Sequence, residues 1–216
     1  MPRKKRRDAV ENRERLITAA FDLLADRDPD LSVRELALHT GLGVGTAYRH
    51  FPTHADLFRA LYDAAVARMG EAMGQAPEGA DAWVALADML ESVTFALADF
   101  PALRAVMRRM YDIDPSYMPA GALTPQFQDV VERAQREGAL RQGVAGEDIT
   151  STALALAGLV GRPTGAERDM IKRQLVIVLD GLRARDDASP LPGVALNPDE
   201  FHVFTHRANG PAAVQE

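Results

Sequence analysis

A chain of 216 residues has room for one large domain or for a small domain joined to a larger one, and its 47% hydrophobic and 26% charged residues match an ordinary globular protein. No cysteine is present, which excludes a disulfide framework and a thiolate metal site, and nothing points to an oxidising compartment. The net charge of −6 is unevenly spread: residues 1–60 hold 11 Lys and Arg against 9 Asp and Glu, so a mildly basic head precedes an acidic body, an asymmetry that suggests a nucleic-acid-facing end.

The basic start, Arg3, Lys4, Lys5, Arg6 and Arg7, leads into DAVENRER rather than an apolar stretch, and no later apolar run reaches about 18 residues. Neither a signal peptide nor a membrane span is visible, and the cytoplasm is the expected location. Residues 1–8 are expected to form a basic arm able to reach DNA. Asp8 and Glu11 then resemble a capping pair, and Leu16, Ala20, Leu23 and Leu24 give the first helix an apolar face as far as Asp26, where RDPD stops it. Ser32 with Glu35 fits the Ser-x-x-Glu capping box and opens a short second helix, VRELALHT, that ends at Gly41. A third short helix is predicted from Val44 to His50. Thr53 and Asp56 cap a fourth that runs to about Gln75.

Helix, short helix, glycine turn and short helix are the order of a helix-turn-helix, whose second member lies in the major groove while flanking polar groups hold phosphates. The stretch GLGVGTAYRHF suits that use. Gly45 in the first turn allows close backbone approach, and Thr46, Tyr48, Arg49 and His50 supply hydroxyl, phenol, guanidinium and imidazole donors. Arg49 is also able to read a guanine edge. Arg34, on the second helix, completes the set of polar candidates.

The segment SVRELALHTGLGVGTAYRHFPTHADLF resembles the DNA-binding segment of the TetR family of transcriptional regulators, over roughly Glu11 to Leu61. The family run of Gly, small residue, Thr, apolar residue, Tyr, any residue, His, Phe is similar to Gly45, Thr46, Ala47, Tyr48, Arg49, His50, Phe51. The resemblance implies that Thr46, Tyr48 and His50 contact DNA, that Val44 and Arg49 face the groove, and that Ala47 and Phe51 pack inward. Two positions depart from the pattern. Gly43 replaces the usual polar cap, and His54 stands where a phosphate-binding Lys is common.

The predicted organisation is therefore an all-α chain of about nine helices: a helix-turn-helix domain at 9–53, a connecting helix at 54–75, a ligand-binding and dimerisation domain at 76–185, and a flexible tail at 186–216. Within the second domain, helices are predicted at Asp81–Asp99, from Pro101, from Thr124 to before Gly138, at Glu147–Gly161 and at Glu167–Arg185. Trp83, Met89, Phe95, Met107, Met110, Tyr111 and Phe127 are candidates to line a pocket for an apolar or aromatic effector, although residues of these types at helical spacing also build plain core. The last two helices are unusually apolar. Ile149, Ala153, Leu156 and Val160 with Ile171, Gln174, Leu175, Val178 and Leu182 either fill the core of a monomer or form an isologous four-helix interface with a second copy. The resemblance favours the homodimer, which would place two recognition helices on a palindromic operator in double-stranded DNA.

In the tail, His202 and His206 are four apart with Glu200 nearby, which is too little to propose a metal site, and no metal or cofactor is expected. No G-x-S-x-G, P-loop or His-Glu-x-x-His motif occurs, so an enzyme is not expected. The expected function is a ligand-responsive repressor that leaves its operator when the effector binds. The competing reading is a helix-turn-helix that recruits a protein without specific DNA binding.

Overall fold

The computed structural model describes residues 2–26, 31–74 and 79–207. Among these the fold is all-α: α1 (Pro2–Asp26), α2 (Val33–Thr40), α3 (Val44–His50), α4 (His54–Met73), α5 (Ala82–Ala98), α6 (Ala102–Ile113), a 3-10 turn (Pro119–Leu123), α7 (Thr124–Arg136), α8 (Gly146–Ala157), α9 (Gly165–Leu182) and α10 (Pro198–Arg207). The chain forms two compact units, the first from residues 1–65 with 101–117 and the second from 66–100 with 118–216. The segment 101–117 thus groups with the helices of the head.

In the first unit, Leu16, Ala20 and Leu24 of α1 lie buried at the spacing of one helix face; α1 packs on α2, where Leu36 and Ala37 are buried, and α2 on α3, where Ala47 is buried. Leu57, Phe58 and Leu61 of α4 and Leu103, Val106 and Met110 of α6 close the same core. Each large side chain removed from water there stabilises the fold by about 1.5–3 kcal/mol. The helix limits follow from local chemistry. The Ser32 hydroxyl accepts from the Glu35 N–H at 3.1 Å, and Gly41 takes the left-handed conformation, φ 68, that lets its N–H close the end of α2. Thr53 and Asp56 cap α4 reciprocally: the Asp56 N–H donates to the Thr53 hydroxyl at 3.1 Å, and the Thr53 N–H to the Asp56 carboxylate at 3.0 Å.

Asp8 does not begin α1. The helix is already formed at Pro2, and Arg7 instead pairs with Glu11 at 2.8 Å, one turn on, so the basic run continues the helix where an arm was expected. The RDPD stop, Gln75 and the side chains of Arg3, Lys4, Lys5 and Arg6 lie outside the described residues.

The second unit is arranged around α5, against which α7, α8 and α9 pack. Asp81 caps it by accepting from the N–H groups of Trp83 and Val84. Leu86, Leu90, Val93 and Leu97 face inward, and the fully buried Thr94 is satisfied by donating its hydroxyl to the Leu90 carbonyl at 2.7 Å. The last helices are shorter than their apolar patterns suggest. α8 stops at Ala157, and α9 at Leu182, after which Arg183 bridges to Leu140 in antiparallel fashion. The tail, expected to lack order, contains α10, whose start is fixed by reciprocal bonds between Asn197 and Glu200. That Asn-x-x-Glu pair is a capping signal of the same kind as Ser32 and Glu35. His206 lies outside the residues whose side chains are described.

Candidate nucleic-acid interface

α3 is only seven residues long, and its first turn gains nothing from a side-chain cap, because the N-cap residue is Gly43. Tertiary packing holds it instead. Ala47 and Phe51 are buried and anchor it to the rest of the head, while Gly45 and Arg49 are exposed, as are Val44 at 36% and Tyr48 at 44%. Thr46 and His50 are half-buried beside them. The consequence is a short ridge that offers phenol, guanidinium, hydroxyl and imidazole groups to one side, rooted on an apolar strip on the other. Neither Tyr48 nor Arg49 is part of the core, so both are free to serve an outside partner.

Burial, and after it the charges of Arg13 and Arg49, lowers the His50 imidazole below its usual range, so near neutral pH it is present as the uncharged ring. Arg34 is exposed on α2, and His54, the first residue of α4, stacks on Phe58 with ring centroids 4.6 Å apart. Arg34, Val44, Gly45, Thr46, Tyr48, Arg49, His50 and His54 thus all lie on the head, in or beside the helix-turn-helix. On α1, Glu11, Glu14 and Asp22 line an open groove with His39 and Thr40 of α2, an acidic surface unsuited to phosphate.

Sequence spacing missed a polar clamp between α4 and the segment that follows α6. Arg59 of α4 donates to the Asp114 carboxylate at 2.9 Å, just past the end of α6, and its guanidinium lies 5.6 Å from the centroid of the Tyr117 ring. The Tyr117 hydroxyl donates to Asp63 at 2.5 Å, and its ring meets the buried Tyr62 edge-on. Hydrogen bonds from Ser116, and next the one from Arg59, hold the Asp114 carboxyl below the usual range, whereas burial first and the Asp63 bond second push the Tyr117 phenol up to about 12. The partners are 54 and 55 residues apart, and no local pattern joins them.

The pocket candidates are divided between the two units. Trp83, Met89, Phe95 and Phe127 belong to the second unit, and Met107, Met110 and Tyr111 to the first. Met89, Met110 and Phe127 are buried as core. Arg183 covers the Trp83 ring at 4.2 Å and Arg168 the Phe95 ring at 4.4 Å, so both aromatic faces already carry a cation from the chain itself.

The interface candidates also divide. Ile149, Ala153 and Leu156 of α8 and Ile171 and Leu175 of α9 are buried within the chain's own core, and Val160, Gln174, Val178 and Leu182 are half-buried. Their burial follows from the packing of α8 and α9 against α5 and against each other. The neighbouring stripe of α9 is open, with Met170 40% and Ile177 56% exposed and Gly181 exposed between turns. Among the described residues no group of three or more His, Cys, Asp or Glu is placed to hold a metal ion, and no helix is long and apolar enough to cross a membrane.

Residues 16–61 match the model of a family described as bacterial regulatory proteins, tetR family. The HTH-type transcriptional regulator SAR0097 of Staphylococcus aureus is 40% identical over 70 residues, which are 31% of this chain and 36% of that protein. The chain therefore aligns with only about a third of the length of the curated relatives it matches. Among solved structures, the ketosteroid transcriptional regulator KstR2 of Mycobacterium tuberculosis has a TM-score of 0.60 at 18% identity, over 81% of this chain and 96% of that one. RolR in complex with resorcinol has a TM-score of 0.50 at 21% identity, over 88% and 99%. At these identities the likeness is one of fold.

Proposed function

We propose that the chain, whose residues 16–61 match the model of the tetR family of bacterial regulatory proteins, is a repressor that binds a palindromic operator as a homodimer and releases it when a small, largely apolar or aromatic effector binds. The observation that carries this reading is the exposed ridge of α3, where Tyr48 and Arg49 stand clear of a core that Ala47 and Phe51 complete. Such a ridge contributes nothing to its own unit and suits a major groove. Thr46, Tyr48 and His50 hold phosphates, Val44 and Arg49 face the base edges, and Arg34 and His54 flank them. The basic run from Arg3 to Arg7 adds charge at the start of α1.

One head makes few phosphate contacts, and a second copy doubles them. Met170, Gln174, Ile177 and Gly181 recur on α9 at helical spacing beside the buried stripe, and the exposed Met170 and Ile177 among them support a two-fold pairing of α9 with its mate. For the effector, one structural neighbour is named for ketosteroids and another holds resorcinol, which favours a ring-bearing ligand. Such a ligand acts by preferring one arrangement of the heads, and a coupling of about 1–3 kcal/mol changes operator affinity roughly 5- to 150-fold. α4 runs unbroken from His54, next to the recognition helix, to Met73, and suits the transmitting role.

Selection of duplexes from a random DNA pool by the purified chain tests the proposal. Enrichment of a palindrome supports it, whereas a folded sample that enriches nothing and pulls down DNA indifferently to sequence favours the protein-recruiting alternative.

A further inference from the structure

The buried face of α1 passes through Leu16, Ala20 and Leu24, and the position one turn earlier on that face is Arg13. An apolar residue there would extend the core. Arginine instead lays its guanidinium over the ring of Phe51, 4.9 Å from the centroid, while the side chain remains exposed. Phe51 is the C-cap residue of α3 and is buried at 1% exposure, so the cation is held at the end of the recognition helix by a fixed platform. A guanidinium resting on a ring keeps N–H donors available at its edge.

The other α1 arginines with described side chains are engaged elsewhere. Arg7 pairs with Glu11, and Arg15 donates to the Thr40 carbonyl at 3.3 Å. Among the described residues Arg13 forms no ion pair, and its charge is felt by His50, whose protonation it opposes.

We propose that Arg13 is a further DNA-contacting residue, positioned by Phe51 to hold a backbone phosphate beside the C-terminal end of α3. The proposal rests on the DNA-binding reading given above. It divides the work at that end of the helix between two groups: His50 supplies a neutral hydrogen-bonding ring, and Arg13 supplies the charge.

The test is the salt dependence of binding to a random-sequence duplex, measured by fluorescence anisotropy for the full chain and for Arg13→Gln and Arg13→Lys, with thermal unfolding followed in parallel. Arg13→Gln is expected to flatten the plot of log affinity against log salt by about one unit per bound protomer, and Arg13→Lys to restore most of the slope. An unchanged slope in Arg13→Gln, with or without a lower unfolding midpoint, overturns the proposal and leaves Arg13 as a cover for Phe51. A wild-type chain that binds no duplex at low salt overturns the DNA-binding reading itself, and the part of Arg13 with it.

Discussion

His50 is half-buried at the end of α3 with its imidazole held below the usual range, first by burial and then by Arg13 and Arg49. Unfolding returns the ring to its ordinary value of about 6.5, so below that pH the unfolded chain binds more protons than the native one. The stability contributed by the neutral ring is therefore complete above about pH 6.5 and is lost as pH falls through the lowered native value. His50→Gln should reduce the drop in unfolding midpoint between about pH 7.5 and 5.5, and an equal drop in both proteins would mean that another group titrates. Gly43 is a second informative position. Its backbone is already extended, φ −60 and ψ 133, and a side chain added there would meet only the Thr46 hydroxyl, at 3.7 Å. Gly43→Ser should stabilise the head by a few tenths of a kcal/mol in urea unfolding, because a hydroxyl would satisfy an N–H of the first turn. A loss of stability would show that the glycine is needed for its shape.

Among the elements, those of the head are the most legible in sequence, because each limit is set by residues a few positions apart. Ser32 and Glu35, Gly41, and Thr53 and Asp56 mark helix ends that the structure reproduces to the residue. Ser32→Ala should accordingly cost about 1 kcal/mol in denaturant unfolding. The pairing of Arg7 with Glu11 is equally local, but Asp8 and Glu11 also match a capping pattern, which the continuous helix from Pro2 does not use. In the body, periodicity located α5, α7 and α9 but could not say which apolar stripe of α9 faces α5, since both stripes have the same spacing. Ile171 and Leu175 on the buried stripe and Ile177 on the open one are chemically alike. The clamp of Arg59 and Asp63 with Asp114 and Tyr117 was invisible for another reason: polar residues 54 and 55 positions apart give no pattern until the chain folds. Tyr117→Phe keeps the ring beneath Arg59 and removes the hydroxyl bonded to Asp63, and should lower stability by about 1 kcal/mol. No change in the urea midpoint would make that bond a contact of no energetic consequence.

For the whole molecule, the open stripe of α9 and the ridge of α3 are surfaces that the described part of the chain leaves exposed, and each predicts a partner. If a second copy covers the stripe, Ile177→Asp should convert a dimer into a monomer in light scattering, with little loss of folding stability because Ile177 is 56% exposed. A mass unchanged from wild type would move the interface elsewhere. A dimer also sets the operator geometry, with half-sites about 34 Å apart on one face of the duplex. The exposed face of α3 is expected to read DNA. The most direct test compares the wild-type chain with the double variant Tyr48→Phe, Arg49→Ala on a palindrome enriched by the wild type, at about physiological salt. We expect the double variant to lose at least about tenfold in affinity for the palindrome, and to lose discrimination against random sequence, with its unfolding midpoint unchanged. Equal affinity and equal discrimination in the two proteins would contradict the account, since the ridge would then be exposed without being used.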